Sequence, residues 1–474
     1  MSQNQVNDVQ NLRLKYPGED GLIFSHLSLT IHKGDKLLLL GPSGCGKSTL
    51  LQVLSGLVPQ VIPLPMKCDA LVVPERWAYV FQDPDTQFCM SYVDEELAFV
   101  LENQGIASED MPDRIRYYLE SVGLDPIQSH ILIQSLSQGM KQRLAIAAAL
   151  ALQPDVLYLD EPTSLLDPYG TGLVWETIRN LPGDITLVIV EHKIDEVLSI
   201  ANRVVLINEH GEIEADQSPD IFFRENQQRL AECGVWYPGI WDTRAEHQSE
   251  NTPNRTERRL TLHSFQGFRR GRQMVSVESA YVDRAEWISI IGANGAGKST
   301  LLLAIMRLIE TRGYASVCGR EATQTKQIAN LTGFVFQNPE MQFITESVKD
   351  EIVYSILASG ECIDAAYRQA FEILKKIGLE EYADRHPYQL SIGQKRRLSV
   401  ATAAVGNKQL LLLDEPTFGL DALSTFRLLE ILEELRKNGT AIIMVTHDLE
   451  LAHRYSTRIW QIEDGIVREA QGCG

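Results

Sequence analysis

Positive charge is scarce in this chain of 474 residues: 44 Lys and Arg stand against 63 Asp and Glu, a formal net charge of −19. A surface that acidic repels DNA and RNA unless one face concentrates its basic residues, so no nucleic-acid partner is expected. Long apolar runs are missing as well. The longest, Leu144–Leu152, has nine residues, whereas a membrane span needs about 18 or more. The opening residues Met1–Asp8 lack a basic stretch followed by an apolar one, so no secretory signal is expected. Seven cysteines are scattered at positions 45, 68, 89, 233, 318, 362 and 473, with no C-x-x-C spacing. Zinc and iron–sulfur sites are therefore not expected, and unpaired thiols in so long a chain suggest a reducing cytosol.

What the chain does have is repetition. Gly41-Pro-Ser-Gly-Cys-Gly-Lys-Ser48 returns as Gly292-Ala-Asn-Gly-Ala-Gly-Lys-Ser299. Val80-Phe-Gln-Asp-Pro84 returns as Val335-Phe-Gln-Asn-Pro339, and Leu136-Ser-Gln-Gly139 as Leu390-Ser-Ile-Gly393. Leu159-Asp-Glu-Pro-Thr163 returns as Leu413-Asp-Glu-Pro-Thr417, and His192 as His447. The order is kept and the offset stays at 251–255 residues, too long for a solenoid repeat, so the chain is one domain written twice. In each copy short apolar runs (Lys36–Leu40, Val156–Leu159, Leu187–Val190, Val204–Ile207) alternate with helical patterns. That predicts an α/β fold with a mostly parallel sheet. A helical insert is expected near Val93–Asn103 and Asp113–Val122, and again near Val348–Ala358 and Ala365–Ile377. Residues 242–259 are polar with cancelling charges and read as a tether. The expected domains are therefore 1–241 and 260–474.

The repeated motifs carry chemistry. G-x-x-x-x-G-K-[ST] is a phosphate-binding loop, because only a glycine-rich backbone can turn tightly enough to aim several N–H groups at one phosphate chain. The strand Leu37–Leu40 precedes it and a helix expected over Ser48–Leu57 follows, adding its positive N-terminal end. Lys47 and Lys298 should reach the terminal phosphates, and Ser48 and Ser299 should ligate Mg²⁺. The strands ending at Leu159 and Leu413 each deliver two acids. The first of each pair, Asp160 or Asp414, can hold the Mg²⁺ shell, and the second, Glu161 or Glu415, can polarise an attacking water. His192 and His447 each follow an apolar strand at matching distance from the acids.

Together with an L-S-x-G signature and a loop ending in Leu-Asp (Ser164–Asp167, Phe418–Asp421), this set resembles the ATPase domain of ABC transporters. The resemblance implies two P-loop NTPase domains in tandem, each with a helical signature subdomain, paired head to tail around two ATP molecules. Carried over residue by residue, the first site takes Gly41, Pro42, Ser43, Gly44, Cys45, Gly46, Lys47, Ser48 and Thr49. It adds Gln82, Asp160, Glu161 and His192, and is closed by Ser391 and Gly393. The second takes Gly292, Ala293, Asn294, Gly295, Ala296, Gly297, Lys298, Ser299 and Thr300. It adds Gln337, Asp414, Glu415 and His447, and is closed by Ser137 and Gly139. The resemblance makes Glu161, His192, Gln82, Glu415, His447 and Gln337 catalytic and adds Gln82 and Gln337 to the metal shell. Tyr16 fits the aromatic that stacks on adenine, with Phe268 or Phe265 as its counterpart. The usual signature reads L-S-G-G-Q, and here Met140 stands where the first copy should have Gln.

The segment after each Gln loop, Phe81-Gln-Asp-Pro-Asp-Thr-Gln-Phe88 and Phe336-Gln-Asn-Pro-Glu-Met-Gln-Phe343, narrows the group. It is similar to the ATPases of energy-coupling-factor importers and of cobalt and nickel importers, as is Glu191 directly before His192. That resemblance implies a transmembrane coupling protein and a small substrate-binding membrane protein as partners. It also implies a vitamin, vitamin-precursor (thiamine-type) or metal-ion substrate, and a place on the cytoplasmic face of the cell membrane. A fused sugar-importer ATPase would lack the Gln-Phe pair. A tandem translation factor would carry a charged linker and a basic arm. The cluster Arg269, Arg270 and Arg272 reads as a solvated strand edge or a subunit interface rather than an RNA contact.

Overall fold

The computed structural model describes residues 4–18, 21–243, 257–406 and 408–470. They form two compact units, one running to Ile240 and one taking in the residues from Trp241 on, apart from Asp421–Leu423. Most of the expected tether, residues 244–256, lies outside the described residues. The strand that opens the second unit's sheet begins at Arg258.

The first unit is built on a six-stranded sheet. Its order is Ile213–Gln217, Arg203–Ile207, Lys36–Leu40, Thr186–Val190, Val156–Asp160, Trp77–Val80. All neighbours pair in parallel except the edge strand Ile213–Gln217. Apart from Lys36, Arg203, Thr186 and Asp160 at their ends, and the Tyr158 hydroxyl, the inner strands are apolar, as strands of a parallel sheet buried on both faces are. Val156–Asp160 and Thr186–Val190 are buried at every residue. Each such Leu, Ile or Val contributes about 1.5–3 kcal/mol on leaving water. A smaller antiparallel sheet centres on Gln5–Leu14, paired with Phe24–His32 and with the short strands Met66–Lys67 and Ala70–Val72.

The second unit repeats the core as Arg458–Glu463, Trp287–Ile291, Ala441–Val445, Leu410–Asp414, Thr332–Val335, all parallel. Here the antiparallel strands join the same sheet, giving ten strands, and the junction is the single parallel pair Ser276–Ile466. Arg269–Arg272 form the tight turn of the hairpin Arg258–Asp283, with Arg270 and Gly271 both at positive φ.

The helical inserts appear as Val93–Asn103 with Met111–Ser121, and Val348–Ala358 with Ile363–Lys376. The second insert has its own core, including Val348, Ile352, Leu374 and Leu398. No helix of the described residues is long and apolar enough to cross a membrane.

Candidate functional site

Each site grows from the end of a buried strand. Lys36–Leu40 stops at Gly41, whose φ is +156° and where a Cβ would stand 2.5 Å from the Ile207 carbonyl. Glycine is therefore required for the chain to leave the sheet there. Gly46, at φ +96°, caps the helix Lys47–Leu54, and a Cβ on it would strike the Phe24 ring at 2.7 Å. The helix ends three residues short of the expected Leu57, because Gly56 takes φ +80°. Lys47 is buried and folds back over the loop, donating from Nζ to the carbonyls of Gly41 and Pro42 at 2.9 Å each. The second unit repeats this: Lys298 Nζ donates to Gly292 O at 2.8 Å and Ala293 O at 3.0 Å. Ala293, Asn294 and Gly295 are exposed at the loop's crest, as are Ser43 and Gly44 in the first copy, while Cys45 is buried and Ala296 half-buried. Thr49 and Thr300 are buried in the helix behind.

The acids meet these loops. Ser48 Oγ donates to Asp160 Oδ1 at 2.8 Å, and Ser299 Oγ to Asp414 Oδ1 at 2.9 Å, although more than 110 residues separate each pair. A hydroxyl beside a carboxylate is a set of hard oxygen donors, which suits Mg²⁺ completed by phosphates and water. The described residues hold no cluster of three or more His, Cys, Asp or Glu able to cage a metal unaided. Burial pushes the Asp414 carboxyl up to about 6, against the pull of Ser299, and pushes Asp160 upward as well.

The second acid of each pair sits in a hydrogen-bonded triangle. Gln82 Nε2 donates to Glu161 Oε2 at 2.9 Å, and His192 Nε2 lies 2.8 Å from Glu161 Oε1. In the second unit Gln337 Nε2 donates to Glu415 Oε2 at 3.2 Å, and His447 Nε2 is 3.1 Å from Glu415 Oε1. Glu161 and Glu415 both hold φ +47°, a left-handed conformation that costs a non-glycine residue on the order of 1–3 kcal/mol and persists where the surroundings enforce it. Burial raises the Glu161 carboxyl, but the His192 hydrogen bond and the charges of His192 and Lys47 outweigh it and hold the group below its usual range.

Ser137 and Ser391 cap the helices Gln138–Ala151 and Ile392–Ala404. Ser391 accepts from Gln394 N at 3.3 Å, and Gln394 Oε1 accepts from Ser391 N at 2.8 Å, a closed capping box. Met140 cannot return that bond, so the first signature keeps only the Ser137 half, at 3.3 Å. Gly139 and Gly393 follow on the first turn, half-buried. The two helices are tied to the Gln loops in the same way: Lys141 Nζ bonds Asp85 at 2.7 Å and Lys395 Nζ bonds Glu340 at 2.6 Å.

Two expectations change. Tyr16 is exposed, with its hydroxyl 2.5 Å from Thr49 Oγ1, but its suggested counterparts are not. Phe265 is fully buried, and Phe268 is 8% exposed with the Arg312 guanidinium 4.5 Å from its ring centre. Both rings pack inside the hairpin sheet, so neither offers a free face for adenine. The two Gln-Phe pairs also differ. Phe88 is half-buried and lines a groove of about 230 Å³ with Asp85, Met90, Ser91, Leu132, Ile133 and Gln134. Phe343 instead belongs to the core of the helical insert, and Gln342 Nε2 is spent on Ser399 O and Thr402 Oγ1, both at 2.8 Å.

Tyr79 was not singled out from the sequence, and Glu191 only for its place directly before His192. Tyr79 donates its hydroxyl to Asp160 Oδ2 at 2.8 Å. Glu191, fully buried and pushed up to about 7 by desolvation, accepts from Thr163 Oγ1 and from His192 N at 3.0 Å. Comparing the two copies in register was the signal available, since Phe334 and Thr446 stand at these places in the second.

The family model described as ABC transporter matches residues 24–164 and 276–418. A Bacillus subtilis protein provisionally named HMP/thiamine import ATP-binding protein is 32% identical, over 97% of this chain and 90% of its own length. A provisionally named ABC transporter ATP-binding protein of Methanosarcina acetivorans is 31% identical, over 97% of this chain and 84% of its own. Among solved structures, an RNase-L inhibitor covers 97% of the chain at TM-score 0.65 and 20% identity, with 90% of its own length matched. An archaeal ribosome recycling factor bound to a ribosomal stalk protein does so at 0.65 and 19%, with 89% of its own length matched. At that identity the two structures speak for the fold alone. The chain belongs to the ABC transporter family. It is an ABC-type ATPase with two ATP-binding domains in tandem.

Proposed function

We propose that this chain is the ATP-hydrolysing energy-coupling subunit of a membrane importer of the energy-coupling-factor type, taking up a vitamin, a vitamin precursor or a transition-metal ion. The observation that carries the ATPase half of this reading is that both units assemble the same set: a lysine-capped loop, a Ser–Asp pair and a Glu held by Gln and His. The importer half is supported by the Gln-Phe segments and by likeness to a relative whose name specifies HMP/thiamine import. The domains are 1–241 and 260–474, joined by the polar segment 242–259, whose last two residues, Arg258 and Arg259, already run in the second unit's first strand.

In this reading the amides of Gly41–Thr49 and Gly292–Thr300 cradle the phosphates, and Lys47 and Lys298 turn from the loop carbonyls onto them. Tyr16 stacks on adenine in the first site. Mg²⁺, when bound, supplies charge neutralisation of the phosphate oxygens from the side of Ser48, Asp160 and Gln82, or Ser299, Asp414 and Gln337. Glu161 and Glu415 orient the attacking water and accept its proton, and His192 and His447 hold each carboxylate in place and touch the terminal phosphate. Each site is completed by the signature of the other copy: Ser391 and Gly393 for the first, Ser137 and Gly139 for the second. The partners are a transmembrane coupling protein, seated in the groove beside Phe88, and a small substrate-binding membrane protein. The chain then lies at the cytoplasmic face of the membrane.

Copurification from native membranes tests the importer reading. Recovery of a multi-span coupler with a small binding subunit is the expected result. Recovery with ribosomes instead would sink it.

A further inference from the structure

The two copies differ in what surrounds their acid pairs. In the first, Tyr79 gives Asp160 a second hydroxyl donor, and Gln142 on the helix Gln138–Ala151 donates from Nε2 to Phe81 O at 3.3 Å. In register, the second copy has Phe334 and Arg396. Phe334 brings no hydroxyl, so the bond from Ser299 is the hydrogen bond the described residues give Asp414. Arg396 is 3% exposed and donates from Nη1 to Phe336 O at 3.0 Å, the carbonyl directly before Gln337. Its buried Nε has no acceptor among the described residues. Burial pulls the guanidinium down to about 10, and the negative charges of Glu415 and Asp414 act on it from nearby. It is therefore still protonated at neutral pH. A neutral amide in one copy is a fixed cation in the other.

We propose that Arg396 sets the metal dependence of the second site, so that nucleotide is held there with less need of Mg²⁺ than in the first. A fixed positive charge beside the acids opposes a divalent cation and favours a polyphosphate. A metal-free triphosphate carries more negative charge than its metal complex, so the cation helps the free form more. The first site has no such charge at that position. There Tyr79 already occupies the second oxygen of Asp160, and metal-free phosphates face two acids with a neutral neighbour. This deepens the reading of Gly292–Thr300, Asp414 and Glu415 as a nucleotide site and rests on it.

The test measures ATP affinity in Mg²⁺ and in EDTA, using Lys47→Ala to isolate the second site and Lys298→Ala to isolate the first. The loss of affinity on removing Mg²⁺ should be smaller at the second site by roughly threefold to tenfold, the size of effect one unit charge exerts on a divalent ion across a partly screened gap. Arg396→Gln should raise the second site's metal dependence to that of the first. The fold already accommodates glutamine at this place in the other copy, with a bond to the equivalent carbonyl. Gln142→Arg in the Lys298→Ala protein should lower the first site's dependence, and decides the matter if Arg396→Gln does not fold. Equal dependence at both sites, or no change in either exchange variant, overturns the proposal. A Lys47→Ala protein that binds no ATP in either buffer overturns the reading of the second site, and this inference with it.

Discussion

At the level of single residues, the proposed mechanism puts the attacking water on the two glutamates. Glu161 has its oxygens divided between Gln82 and His192, and its carboxyl is held below the usual range, so it is ionised and aimed at neutral pH. Glutamine fits the same space but cannot take a proton. Glu161→Gln and Glu415→Gln should each slow hydrolysis at their own site by roughly 10²–10⁴-fold, the typical cost of losing a positioned base. ATP affinity should be kept, because the loops and lysines are untouched. Single-turnover hydrolysis and equilibrium binding on the same proteins check this, and a variant with near-normal turnover would show that another group does the work. Glu191 gives a different signal. Its carboxyl rises from 4.5 to about 7 on folding, so the folded state binds the proton more tightly than the unfolded one. Its contribution to stability is thus full below about 4.5 and is lost as pH climbs through about 7. Glu191→Gln removes that loss. Relative to the parent, the variant should gain on the order of 1–3 kcal/mol between pH 5 and pH 8 in urea unfolding. A gap that does not change with pH would show that Glu191 titrates normally. None of this was readable in the linear sequence, where Glu191 is one acid beside a histidine; desolvation by the fold makes the difference.

At the level of elements, the sequence was most legible where periodicity and punctuation agree. Lys36–Leu40, Val93–Asn103 and Val348–Ala358 run as their patterns predict. Boundaries moved by one to three residues elsewhere, as before Gly56 and at Met111–Ser121 and Ile363–Lys376. What the pattern could not show is which of two like aromatics faces outward. Gln87-Phe88 and Gln342-Phe343 read alike, yet Phe343 is tucked under Val348 and Ile352 while Phe88 edges a groove. The reason is local: Gln342 is anchored on Ser399 and Thr402, whereas Gln87 Oε1 accepts from Phe81 N at 3.3 Å. The same substitution should therefore have two outcomes. Phe343→Ala should destabilise the second unit by about 3–5 kcal/mol, as removal of a buried ring does. Phe88→Ala should leave stability within about 1 kcal/mol of the parent, the range of changes away from a packed core. It should weaken assembly with a coupling protein docked in that groove. Thermal unfolding and copurification, measured on both, separate the cases. If Phe88→Ala unfolds as readily as Phe343→Ala, the groove is a packing defect and not a docking surface.

At the scale of the whole molecule, duplication was the feature most plainly written in the sequence, and divergence between the copies was the least. Each unit has its own buried cluster, one around Leu37, Leu50 and Val188 and one around Ile288, Leu301 and Ile443. Two cores of that size predict two unfolding transitions rather than one, since a single cooperative transition is the rule only for small single domains. Each core carries its own phosphate loop at the end of its central strand, so a ligand gripped by one loop should raise mainly the transition of that unit. ADP is the suitable probe, because it lacks the terminal phosphate that the opposite signature would touch. At a hundredfold excess over its dissociation constant it should stabilise the occupied unit by about 2.7 kcal/mol. In Lys47→Ala the shift should remain in the second unit's transition alone, and in Lys298→Ala in the first's. Calorimetry with tryptophan substitutions can assign them: Trp175 is buried in the first unit, Trp287 and Trp460 in the second. One merged transition in every variant would show that the two copies fold as a single body. Equal shifts of both transitions in Lys47→Ala would show that ADP bound at the second loop is felt by both units.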